Sequence, residues 1–130
     1  MIPENSFRNS VFEYVRKKYG NTPEYMWQKT PDAAVLRHND NRKWYAIVMV
    51  VSRRVLKLDG DGLTDILNVK CDPLLIGSLQ QEEGFLPAYH MNKSHWITVL
   101  LDGTVDVKRI FALVDLSYRM TEIKGRGEKK

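Results

Sequence analysis

Two of the chain's three histidines fall within eight residues: positions 89–96 read Tyr-His-Met-Asn-Lys-Ser-His-Trp. His90 and His95 flank Asn92 and Lys93, so imidazole, amide and ammonium groups crowd one short segment. A segment built only to fill a core has no use for that many polar groups. Metal ligation is the first chemistry to test. A zinc site takes three or four His, Cys or carboxylate ligands at recognisable spacing. Here only Cys71 and His38 remain as further obvious ligands, no paired motif links them, and Lys93 opposes a cation. No metal or cofactor is expected. Nucleophilic catalysis is the second. Cys71 with His90 or His95 would need a thiolate pair. Cys71 instead closes an apolar run directly before Asp72-Pro73, as a small buried thiol would. Ser94 and His95 are adjacent, and neighbours on an extended chain point to opposite faces. No catalytic residue is expected.

The third chemistry is contact with nucleic acid. Lys93 supplies charge for a phosphate, Asn92 can bond adenine through two atoms, and His95 and Trp96 can stack on an exposed base. The same residues also suit a purely structural turn. Asn92 tolerates a left-handed conformation and bonds neighbouring backbone, and Trp96 fits a core. As a site, the segment could equally serve a small anionic ligand or a protein partner. The glycines add nothing here. Asp59-Gly60-Asp61-Gly62 lacks the lysine and the strand-to-helix setting of a phosphate loop, and no spaced glutamate follows to make a calcium loop.

Charge supports the nucleic-acid reading. The chain carries 20 Lys/Arg against 16 Asp/Glu, a net +4. Residues 1–60 hold 11 basic against 6 acidic residues, and residues 61–130 hold 9 against 10. A basic half attracts phosphate backbones or acidic partners. Arg42 and Lys43 stand at a turn before the longest apolar strand, and Arg53, Arg54 and Lys57 follow it. A hairpin tipped with cations resembles a wing that lies along a DNA groove, although a solvated turn has the same composition. Lys70, Asn92, Lys93 and His95 make a second polar patch.

The elements that must position these groups read as helix, strands, helix, strand, helix. Residues 4–19 place Phe7, Val11, Tyr14, Val15 and Lys18 on one helical stripe, with Asn5 or Ser6 as cap and Gly20 as stop. Residues 25–29, 33–37, 43–52, 55–58 and 65–71 read as strands, with 33–37 and 43–52 paired as a hairpin across His38-Asn39-Asp40-Asn41. Asp72-Pro73 opens a helix running towards Gly84, with Leu74, Leu75 and Leu79 inward. Residues 85–89 lead into the 89–96 segment, and 96–101 read as a strand buried on both faces. After Asp102-Gly103, Thr104 or Asp106 caps a last helix to about residue 121, with Val107, Ile110, Phe111, Leu113, Val114 and Ser117 or Tyr118 inward. This order implies an α+β fold with helices on one face of a largely antiparallel sheet.

A chain of 130 residues fits one domain, and 43% apolar residues argue against wholesale disorder. One cysteine excludes an internal disulfide and fits a reducing compartment. No signal-like start is visible, and the longest apolar run, 44–51, is too short to span a bilayer. The expectation is a cytoplasmic protein with a single domain over 1–123 and a mobile basic tail over 124–130.

Several motifs together resemble the MmcQ/YjbR family. They are Asn68-Val69-Lys70-Cys71-Asp72-Pro73, Pro87-Ala88-Tyr89-His90-Met91-Asn92-Lys93, His95-Trp96, Asp102-Gly103 and Leu116-Ser117-Tyr118. The resemblance is clearest from residue 65 to 118 and is strongest to the YyaQ-like branch. It implies a frataxin/CyaY-like architecture, a twisted antiparallel sheet with helices packed on one face. It also implies DNA binding through a double wing of β-hairpins, and it brings no catalytic residues. The acidic ridge that iron binding would need is absent, since residues 1–19 hold only Glu4 and Glu13 against four basic residues.

Overall fold

Five strands pair antiparallel throughout: β1 (Ala34–Arg37), β2 (Trp44–Ser52), β3 (Leu63–Lys70), β4 (Phe85–Pro87) and β5 (Trp96–Leu100). Their order across the sheet is β1-β2-β3-β5-β4. Helices α1 (Phe7–Tyr19), α2 (Pro73–Leu79) and α3 (Val107–Met120) complete the chain. The computed structural model describes residues 6–122, so the start of the first predicted helix, Asn5 as a cap and the predicted tail lie outside the described residues.

The pairing register decides what each face of the sheet carries. One cross-strand row runs Ala34, Val48, Leu67, Val99, Phe85. It packs with Val11 and Val15 of α1, Ile76 and Leu79 of α2, and Ile110, Leu113 and Val114 of α3. All three helices therefore cover the same face, and the fold is α+β. The alternate row runs Val35, Ile47, Asn68, Thr98, Leu86 on the face without helices. There Val51, Ile66 and Leu100 form a smaller cluster under Met49, Leu56, Leu58, Leu86 and Tyr89.

Local signals explain the helix ends. The Ser6 hydroxyl accepts from Asn9 N–H at 3.1 Å, and Gly20 ends α1 in the left-handed region at φ 71°. The Asp72 carboxylate caps α2 ahead of Pro73, and Asp106 caps α3. α1 and α3 are tied together at Asp115. Its carboxylate accepts from Tyr14 and Tyr19 hydroxyls at 2.6 and 2.5 Å and from Lys18 at 3.1 Å. Burial raises the Asp115 pKa, but these donors together outweigh it and hold the group below its ordinary value.

A β-bulge links α3 to the sheet. Leu36 pairs with Ala46 and Arg37 with Trp44, so the ladder skips Tyr45. The Tyr45 ring turns under the helices, where it meets Tyr19, Tyr118 and His38. The buried Ser117 hydroxyl donates to Tyr45 O at 2.6 Å and accepts from Lys70 N–H at 2.9 Å. One side chain of α3 thus joins β2 to β3 where the ladder lapses. One turn on, Thr121 meets the buried His38 Nε2 at 2.8 Å.

Three predicted elements differ. Residues 25–29 form no strand; Glu24 alone bridges to Val35, and Tyr25, Met26 and Trp27 remain 56, 45 and 38% exposed. Residues 55–58 curl into a turn, with Lys57 at φ 61° and Leu58 N–H bonded to Arg53 O. α2 ends at Leu79, well before Gly84. In seven residues only Ile76 and Leu79 can reach the core, and Leu74 is 90% exposed.

Ser117→Ala leaves two interior backbone groups without their partner. It is expected to lower unfolding free energy by about 2 kcal/mol, read from urea denaturation. Burial also lowers the His38 pKa from its ordinary value of 6.5. As pH falls below 6.5 the unfolded chain takes up a proton here before the folded one does. Stability should therefore decline from that point downward, and His38→Gln should flatten this part of the curve in denaturation series from pH 7.5 to 5.

Candidate functional site

Asn68 and Thr98 are fully buried polar residues at the centre of the helix-free face. The Thr98 hydroxyl donates to Asn68 Oδ1 and accepts from Tyr89 N–H at 2.9 Å. Asn68 Nδ2 donates to Tyr89 O at 3.1 Å and touches Met49 Sδ at 4.0 Å. Both backbone groups of Tyr89 are held by the middle of the sheet. The next residue, His90, takes φ 60°, and its ring stacks on Tyr89 at 4.0 Å. Asn92 then closes the loop. Its side chain accepts from Ser94 N–H at 2.8 Å, and its carbonyl accepts from His95 and Trp96 N–H at 3.2 and 3.0 Å. Asn92 is therefore the turn residue of this segment.

A second segment faces this loop. After the Glu24–Val35 bridge the chain carries Trp27 across the helix-free face, and its ring meets Trp44 edge-on at 5.8 Å. Between the two segments lies an open cleft of about 300 Å³. Ile47 and Met49 form its floor, Trp27, Thr30 and Trp44 one wall, and Tyr89, His90 and Met91 the other. The sequence reading singled out only the second wall. Trp27 and Trp44 read there as strand residues, and nothing local says that 27 and 44 share a cleft. The one available signal was three large apolar residues in a row, Tyr25-Met26-Trp27, without strand alternation.

The basic residues do not gather at one wing tip. Arg42 and Lys43 lie before β2, and Arg53, Arg54 and Lys57 follow it. Nine residues of strand separate the groups by about 30 Å. Much of this charge is compensated. Arg42 pairs with Glu24 at 3.3 Å, beside the Arg37–Glu24 pair at 2.7 Å. Arg37 first, then Arg42, hold the Glu24 carboxyl below its ordinary pKa. Arg53 donates to Asp59 O at 2.7 Å and pairs with Asp102 at 3.3 Å, while Arg54 lies 3.7 Å from Asp61. Lys57 is exposed in that same loop.

The residues of the second polar patch lie at the end of β3 and in the loop before β5. Lys70 ends β3 opposite Trp96, and alternation from Asn68 puts it on the helix-free face. Lys43 precedes β2, and the loop carrying Asn92, Lys93 and His95 leads into β5. His90, Asn92, Lys93 and His95 are all exposed. Among the described residues Lys43, Lys70 and Lys93 form no ion pair. Cys71 lies elsewhere, in the core under the helices, and burial pushes its thiol pKa up. Its N–H donates to His95 O at 2.8 Å, a purely backbone link. No three His, Cys, Asp or Glu side chains cluster to hold a metal, and no helix is long and apolar enough to cross a membrane, among the described residues.

A five-stranded antiparallel sheet, backed by three helices and open on its other face above an aromatic cleft, defines the class. The chain belongs to the YjbR family, which residues 16–120 match. It is 44% identical over 115 residues to the uncharacterised protein YyaQ of Bacillus subtilis, covering 88% of this chain and 98% of that one. This places it on the YyaQ-like side of the family. The uncharacterised protein YjbR of Escherichia coli K12 is 41% identical over 54 residues, 41% of this chain and 46% of that one. A crystal structure of a Pseudomonas syringae protein superposes with a TM-score of 0.86 at 44% identity, covering 88% and 98% of the two chains. A Deinococcus radiodurans crystal structure shares the fold at TM-score 0.66 and 23% identity, covering 98% and 88%.

Thr98→Val keeps the shape but leaves Tyr89 N–H and Asn68 Oδ1 unpaired. The expected result is a loss of about 2 kcal/mol in stability. Amide hydrogen exchange should also speed up over residues 89–91 while the β2–β3 pairing stays protected.

Proposed function

We propose that this is a cytoplasmic DNA-binding protein without catalytic activity, and that it holds phosphates at the end of the sheet where β2 begins and β3 ends. The observation that carries this reading is that Lys70, at the end of β3 opposite Trp96, adjoins the loop before β5 that carries Lys93 and His95. Acidic residues nearby have local roles: the Asp40 carboxylate accepts from Asn41 N–H and Asp72 caps α2. Arg53 and Arg54 are secondary in this reading because Asp59, Asp61 and Asp102 engage them. A second reading, a module for a small anionic ligand or a protein partner, is favoured by the cleft beside the same loop.

Fluorescence anisotropy with a labelled DNA oligomer tests the first reading. Three phosphate contacts predict a log–log salt slope of about −2 to −3, or roughly a 15- to 65-fold affinity loss between 50 and 200 mM salt. Lys70→Ala/Lys93→Ala should flatten that slope, and Arg54→Ala should change it little. Absence of binding, or binding indifferent to salt, would remove this reading and leave the small-ligand module.

A further inference from the structure

We infer that the cleft between Trp27 and His90 receives one unpaired nucleobase, so that the protein prefers single-stranded to duplex DNA. This rests on the DNA-binding reading and names the form of DNA bound.

The cleft has the composition of a stacking site. Its walls carry Trp27, Trp44, Tyr89 and His90 over the apolar floor of Ile47 and Met49. Two of these ring pairs are already ordered against each other, Trp27 edge-on to Trp44 and His90 flat on Tyr89. Trp27 keeps 38% of its surface exposed, and His90 is exposed as well, so flat ring surface remains for a ligand. Such surface accepts any base, because every base has a π-face. At about 300 Å³ the space is at the lower end of small-ligand sites, room for one ring system. The Thr30 hydroxyl and the His90 imidazole supply polar groups for a base edge.

Charge selects the occupant. Lys70 stands one pleat beyond Asn68 on the same face, and Asn68 touches both Met49 and Tyr89 of the cleft. Lys70, with no ion pair among the described residues, thus stands on the cleft's face of the sheet, two residues along β3 from a side chain that touches the cleft lining. Apolar rings with a cation at the margin fit a base joined to a phosphate. A purely apolar protein segment would make no use of the lysine. A base stacked inside a duplex cannot enter a recessed cleft without leaving its partner, at a cost of a few kcal/mol.

The test compares three ligands on the full chain by anisotropy: a thymidine oligomer, the same-length strand with abasic sites throughout, and a duplex. The abasic strand keeps the phosphates and removes the bases. The thymidine strand should bind roughly 10-fold tighter than the abasic one. Trp27→Ala should abolish that difference, and Trp27→Phe should restore part of it. Both variants should keep the wild-type melting temperature within a few degrees, because Trp27 lies outside the core. Equal, salt-sensitive binding of thymidine and abasic strands would overturn the base site and leave the phosphate reading standing. No binding of any of the three would overturn both.

Discussion

The central pair Asn68 and Thr98 imposes the strictest condition on this fold. Two polar side chains are shut into the middle of a sheet whose neighbouring residues are apolar. Each would destabilise the interior by a few kcal/mol if left unpaired. Bonding to each other satisfies only part of their capacity. The rest goes to the N–H and C=O of Tyr89, which is why the chain after β4 must lie back over the helix-free face. Once Tyr89 is held there, the stacked His90 ring and the turn at Asn92 follow within a few residues. The same constraint that satisfies the sheet centre builds one wall of the cleft.

The helix-covered face solves a related problem with a different residue. The bulge at Tyr45 sends an aromatic ring into the cluster of Tyr19, His38 and Tyr118, and beside it the end of β3 has no partner on β2. Ser117 supplies that partner from α3. Lys70 is thus oriented from both sides: its backbone is fixed by a helix, and its side chain emerges on the opposite face. The lysine at the end of β3 owes its position to packing on the far side of the sheet.

Much of the scaffold was legible in the sequence because its signals are local. Asp72-Pro73, Gly20 and the β-branched run before Ser52 each carry their meaning within a few residues, and they appear as read. The site was legible by halves. Residues 89–96 stood out by composition, but composition could not separate the turn-forming Asn92 from the cleft-lining His90. The other wall depends on Trp27 meeting Trp44, a contact that exists only after β1 and β2 have paired. The charge pattern misled for the same reason. Arg53 reads as a free cation until Asp102, forty-nine residues later in the chain, comes to rest beside it.

The two border strands of the sheet carry a consequence of their own. β4 has three residues and ends in Pro87, which offers no N–H, while β1 has four, is distorted at Arg37 and is met by Glu24 along part of its length. Such margins give a foreign strand almost nothing to pair with. A protein that leaves Tyr25, Met26 and Trp27 on its surface would otherwise invite self-association through its backbone. Blunted margins confine stickiness to side chains, so what adheres to this molecule must be chosen by rings and charges and cannot simply extend its sheet.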